Sequence, residues 1–95
     1  METDLISLPN IGKDTEAKLV EAGIHSCAEL IETGTEQTFL RLQSIDPGAC
    51  IQLLYGIDGA VQGIPATKLS HERKQQLKEF LRMTKLENKP AQQPI

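Results

Sequence analysis

The sequence predicts an all-α domain, a compact bundle of about five short helices. Three observations carry that expectation. Apolar residues recur at three- and four-residue spacing along most of the chain. Cap residues and Gly or Pro stops divide it at short intervals. No run alternates as a half-buried strand would, and only three aromatics (Phe39, Tyr55, Phe80) are present, so the core must be built of Leu, Ile, Val and Ala. Connections are short, so consecutive helices are expected as spatial neighbours.

The first element opens on a turn, Leu8-Pro9-Asn10-Ile11-Gly12-Lys13. Pro9 fixes its own φ and keeps Leu8 out of the helical region. Gly12 is expected to take a conformation, or allow a close approach, that a Cβ would forbid. The helix that follows has Ala17, Leu19, Val20 and Ala22 on one face, and Gly23 sits at its left-handed C-terminal position. Ser26-Cys27-Ala28-Glu29 reads as a capping box, opening a short second helix through Leu30 and Ile31 that stops near Gly34. Thr35 is the expected cap of a third helix whose face is Phe39, Leu40, Leu42 and Ile45.

Asp46-Pro47 reads as an N-cap followed by proline at the first position of a fourth helix, which Gly63 and Pro65 end. Ser70 caps the last helix, with Leu77, Phe80, Leu81 and Thr84 on one side. The chain is read as one helical domain over residues 1–85, followed by a disordered polar tail over 86–95 with two proline breaks.

The fourth helix is unusual, because Ala49, Cys50, Ile51, Leu53, Leu54, Tyr55, Ile57, Ala60 and Val61 leave it almost no polar face. A helix apolar all round is buried on all sides. It is either the central post of the bundle or the seam of a homodimer, with Gly56, Gly59 and Ala60 as a flat self-association strip.

The net charge of −3 hides a division. Residues 1–63 hold three Lys/Arg against ten Asp/Glu, whereas residues 64–85 hold six against two. A dedicated nucleic-acid binder carries a broad basic surface, since neutralised phosphates supply most of its affinity. Nucleic-acid binding by this mostly acidic chain is therefore expected to be weak. No apolar run is long enough to cross a bilayer and the first residues lack a basic signal-peptide region, so a cytoplasmic protein without membrane contact is expected.

Cys27 and Cys50 have neither a CxxC partner nor a histidine at ligand spacing; no metal or other cofactor is expected. Both are read as small hydrophobes on apolar helix positions. His25 and His71 have no Ser, Cys or carboxylate at a spacing that implies a triad, and no phosphate loop of the GxxxxGK[ST] kind is present. Catalysis is not expected.

Two candidate sites remain. The amides of Gly12, Lys13 and Asp14 are unpaired donors of a helix N-terminus beside a cation, the makeup of a phosphate site. Turns of this kind recur in helix-hairpin-helix modules that grip a nucleic-acid backbone, and equally in relatives that bind only protein. The plainer reading has the turn merely aiming a helix, with Lys13 solvated. On the last helix, Lys74, Lys78, Arg82 and Lys85 fall in one stripe beside the apolar face, with Glu72 and Glu79 on the far side. Such a stripe suits a phosphate backbone or an acidic partner, or it is a solvated flank.

Several segments taken in order resemble the C-terminal domain of TfoX/Sxy-type competence regulators: Leu8-Pro9-Asn10-Ile11-Gly12, Glu21-Ala22-Gly23-Ile24, Phe39-Leu40-Arg41-Leu42, Asp46-Pro47-Gly48, Leu53-Leu54-Tyr55, Gly59-Ala60-Val61-Gln62-Gly63 and Arg73-Lys74. The resemblance runs from about Leu8 to Arg82. It implies an all-helical fold akin to helix-hairpin-helix or SAM-like domains, and a stand-alone version of a domain that elsewhere follows an N-terminal one. The turn and first helix, as far as Ile31, are also similar to the C-terminal domain of the bacterial RNA polymerase α subunit. DNA-gripping hairpins commonly have glycine where this chain has Asn10, and Asp14 and Glu16 are acidic where a phosphate would prefer otherwise.

Together these readings lead to a non-enzymatic accessory module in transcription or DNA-uptake regulation. It would act through protein contacts and weak, sequence-independent contact with a DNA backbone. The alternative is a self-associating structural domain with no nucleic-acid role.

Overall fold

Helical periodicity becomes five helices in the computed structural model, which describes residues 3–87: α1 (Lys13–Glu21), α2 (Cys27–Thr33), α3 (Thr35–Ile45), α4 (Ile51–Gln62) and α5 (His71–Glu87). Two 3-10 turns, Asp4–Ser7 and Ala66–Lys68, complete the set, and no strand occurs among the described residues. The all-α class is as the sequence predicts. Helix α5 runs two residues past the expected domain end, and residues 88–95, where most of the tail was placed, lie outside the described residues.

Local chemistry sets most boundaries. Helix α1 closes on a Schellman motif: the Gly23 amide donates to Val20 O at 3.0 Å and the Ile24 amide to Leu19 O at 2.8 Å. That geometry needs a left-handed residue, and Gly23 supplies it at φ +90°. Ser26 caps α2 through the Glu29 amide at 3.1 Å, while the Glu29 carboxylate reaches one residue beyond the cap to accept from the His25 amide. Ser70 caps α5 through the Arg73 amide at 3.0 Å.

Helix α4 is the post of the bundle. It packs against α3, α5 and the second 3-10 turn. Its Ile57 and Ala60 enter one core cluster with Leu5, Ile11, Leu19, Ile24, Leu30 and Leu42. Its Leu54 and Tyr55 enter a second with Phe39, Ala49, Leu69, Leu77 and Leu81. Each fully buried Leu, Ile or Phe contributes on the order of 1.5–3 kcal/mol relative to exposure, so both halves of the fold depend on this one helix. Phe39 and Phe80 meet edge to face, centroids 6.4 Å apart, and join α3 to α5.

Five expectations are corrected. Helix α4 begins at Ile51, not after Asp46; Asp46 ends α3, accepts from the Gly48 amide at 3.0 Å and pairs with Lys18 at 2.8 Å. With those bonds made, the Asp46 carboxylate is engaged as the cap of a turn. Thr35 does not cap α3; Gly34 holds the cap position and the Thr35 hydroxyl points inward. On α3 the buried polar Thr38 takes the inner position expected of Leu40, which stays 37% exposed. Cys50 is an exposed cap residue and Cys27 is only half-buried, so neither is a core hydrophobe. Helix α4 does carry a polar group, Asp58, and it is buried.

Candidate interaction surface

The turn before α1 is organised by Asn10 rather than by Gly12. Asn10 sits at φ +71°, a left-handed conformation that asparagine tolerates better than most residues. Its side-chain amide donates to Gly56 O at 3.3 Å and Ile64 O at 3.0 Å, and its carbonyl accepts from the Ala66 amide at 3.0 Å. One side chain thus fastens the turn to the middle of α4, to Ile64 just past its end and to the second 3-10 turn. The approach is close: a Cβ on Gly59 would lie 2.5 Å from the Asn10 amide nitrogen and 2.7 Å from Ile64 O. The strip of Gly56, Gly59 and Ala60, expected as a self-association surface, is occupied by the chain's own turn. A second copy could reach Gly59 only by displacing it.

Gly12 departs from expectation. Its backbone is extended, at φ −99° and ψ −172°, and a Cβ there would meet nothing within 4 Å. Gly12 and Lys13 are exposed, and no side chain caps the first amides of α1. Glu16, one turn further, is buried and turned away: Oε2 accepts from the Thr3 amide at 2.8 Å and the Thr3 hydroxyl at 2.7 Å. Those two bonds hold its carboxyl below the usual glutamate range. The negative charge of Glu16 therefore persists in the first turn of α1, where it opposes an anion at the helix start.

Helix α5 is positioned by a buried cluster around Asp58, which is 2% exposed. Asp58 accepts from Thr35 Oγ1 at 2.8 Å, Gln62 Nε2 at 2.7 Å, Arg73 Nη2 at 2.8 Å and Arg73 Nε at 3.1 Å. Arg73 also reaches Glu36 at 3.1 Å. Burial alone would push the Asp58 carboxyl up; the Arg73, Thr35 and Gln62 bonds and the guanidinium charge outweigh it and leave it below the ordinary value. The same Asp58 bonds hold Arg73 above its ordinary value. This cluster ties α3, α4 and α5 at one point. The only hint of it in the sequence is a lone carboxylate inside an otherwise apolar helix.

The basic stripe on α5 divides. Lys74 is half-buried, with its ammonium 5.8 Å from the centroid of the Tyr55 ring. Arg82 pairs with Glu79, which was placed on the far side of the helix but lies within reach at i,i+3 spacing. Lys78 and Lys85 are exposed and form no ion pair among the described residues. They flank a groove of about 410 Å³, lined by Ile51, Lys78, Leu81, Arg82 and Lys85. A second hollow of about 440 Å³ is bounded by Leu40, Gln43, Ser44, Pro47, Ala49 and Lys85, so Lys85 borders both.

These residues gather beside Ile51, at the start of α4, whereas the Asn10 turn is fastened at the middle of that helix and beyond its end. Lys78, Arg82 and Lys85 therefore come together around one surface, and Gly12 and Lys13 do not join it. Leu81 is the core residue the sequence predicts, with Ile51 packed beside it, and the groove exposes only their outer edges, which no periodicity could show.

The Ser26 hydroxyl is engaged in its cap, and His25 Nδ1 meets only Glu29 at 3.4 Å. Among the described residues no three His, Cys, Asp or Glu side chains are grouped as metal ligands would be. No helix among them is long and apolar enough to cross a membrane.

Comparison with known proteins adds to this geometry. The family model of the TfoX C-terminal domain matches residues 1–81. An uncharacterized protein from Listeria monocytogenes, crystallised in a triclinic form, superposes with a TM-score of 0.83 at 41% identity, covering 85% of this chain and 92% of that one. A protein of unknown function from Listeria monocytogenes in a tetragonal form gives 0.78 at 42% identity, covering 80% and 94%. No protein of curated function matches. Matched over nearly all of its described residues, the chain belongs to the TfoX C-terminal domain family.

Proposed function

We propose that this domain is a non-enzymatic regulatory module that meets an anionic partner along the second half of α5. Protein contacts are its main mode, and weak, sequence-independent contact with a DNA backbone is its secondary one. The observation that supports this reading is the pair Lys78 and Lys85, two exposed cations beside one groove with no ion pair among the described residues, on a chain of net charge −3. Lys18, Arg73 and Arg82, by contrast, are each engaged by an internal acid. Membership of a family of regulator domains supports the same class of role. The self-association alternative draws no support from the glycine strip, which the Asn10 turn fills.

The test is fluorescence anisotropy of a labelled generic duplex at low and moderate salt. A contact made by two or three lysines predicts micromolar binding with a log–log salt slope of about −2 to −3. That binding should vanish in Lys78→Glu/Lys85→Glu. Binding that survives the double variant would place the contact elsewhere and end the α5 reading. No binding at low salt would remove the DNA mode and leave protein contacts alone.

A further inference from the structure

We infer that the two-lobed trough beside the last turns of α5 is the seat of an acidic amphipathic helix from a partner protein; this rests on the reading of α5 as an anion-facing surface. One lobe has Ile51 and Leu81 as its apolar floor, and the other has Leu40, Pro47 and Ala49. Lys85 borders both. Leu40 is 37% exposed although it belongs to a helix whose neighbours Phe39 and Leu42 are fully buried. The trough thus offers separated apolar recesses with cations at their edge, which is the complement of a helix carrying leucines on one face and acids beside them.

The charge geometry favours a helix over a phosphate backbone. Lys78 and Lys85 are seven residues apart, two turns of α5 and about 10.5 Å along its axis. Acidic side chains two turns apart on a partner helix running alongside match that spacing, with leucines between them facing the floor. A duplex would bring phosphates to the two lysines but leave the exposed surface of Leu40 and Ile51 without apolar contact. It would also extend across a body in which ten acids face three basic residues over residues 1–63. A short peptide does neither. The Arg82–Glu79 pair closes the rim without adding net charge.

The experiment is an amide-resolved NMR titration of the full chain with a synthetic amphipathic helix of about fifteen residues, leucines at i, i+3, i+4 and i+7 and glutamates flanking them. Three further titrations use the same peptide with alanines for leucines, the same peptide with glutamines for glutamates, and a short generic duplex. Expected are saturable shifts confined to residues 40–53 and 78–85, with a Kd on the order of 10–100 μM, a range set by weak electrostatics and few anchors. Affinity should fall at least about fivefold for either altered peptide and in Lys78→Glu/Lys85→Glu, two exposed sites whose substitution leaves the core untouched.

Equal binding of the alanine peptide, or shifts centred elsewhere, overturns the inference. A duplex that binds this face while the leucine peptide does not overturns the helix as occupant and leaves the anionic reading of α5 standing. If neither binds, both fall.

Discussion

Replacing Arg73 with methionine isolates what the Asp58 cluster contributes. In the native fold the Asp58 carboxylate, 2% exposed, accepts four hydrogen bonds, two of them from the guanidinium. Methionine keeps the aliphatic packing but leaves a buried anion with only Thr35 and Gln62 as donors. Removing one partner of a buried ion pair costs about 3–5 kcal/mol, because the remaining charge is stranded. A chain of 95 residues has a total stability of roughly 5–14 kcal/mol, so the loss is a large fraction of it.

Urea denaturation followed by far-UV circular dichroism reads this directly. With a slope of about 1–1.5 kcal/mol per molar, the midpoint falls by about 2–5 M. Asp58→Asn added to Arg73→Met should recover at least about 1 kcal/mol, since the stranded charge disappears. The pH dependence has a definite sign. In the native chain the folded Asp58 pKa is lowered, so its contribution is present above the unfolded value and lost as pH falls through the folded one. In Arg73→Met, burial dominates and raises the folded pKa, so stability is lost as pH rises, and the deficit should shrink between pH 7 and about pH 4. A deficit under about 1 kcal/mol, or one independent of pH, would refute the stranded-charge reasoning.

Three further outcomes follow from other contacts. Gly59→Ala should destabilise by about 2 kcal/mol in the same melt, because its Cβ falls 2.7 Å from Ile64 O; Gly56→Ala, whose Cβ meets Asn10 at 3.5 Å, should stabilise by about 0.5–1 kcal/mol. Thr38→Val should raise stability by about 1 kcal/mol, since the buried Thr38 hydroxyl has no hydrogen-bond partner among the described residues; a loss measured by calorimetry would mean the hydroxyl is satisfied by water. Gly12→Ala should cost no more than about 0.5–1 kcal/mol, given its extended backbone and open surroundings, so that a larger change in duplex binding than in melting would mark the position as a contact.

Helices were legible where local chemistry fixes them. Gly23, Ser26 and Ser70 act through bonds spanning a few residues, and each lies where the sequence puts it. What was not legible depends on partners distant in the chain. Thr35 looks like a cap until Asp58, twenty-three residues away, takes its hydroxyl. Asp46-Pro47 carries a sound start signal, yet Lys18 and the Gly48 amide engage the carboxylate and delay α4 to Ile51. On α5 the helical period gave the stripe but not its division, because only packing brings Tyr55 under Lys74 and leaves Lys78 and Lys85 beside the Ile51 groove.

The Asn10 fastening has a kinetic side. Its three bonds join residues separated by 46, 54 and 56 positions. Closing a loop of that length costs entropy before any contact rewards it, so such bonds form late. During synthesis the partners of the turn emerge one after another, Gly56 first and then Ile64 and Ala66, so the set is complete only when α1 through α4 are already available to collapse. The N-terminal turn is thus set in place by residues 56–66, far along the chain from it. Weakening Asn10 would show in the rate at which the native state opens far more than in the rate at which it forms.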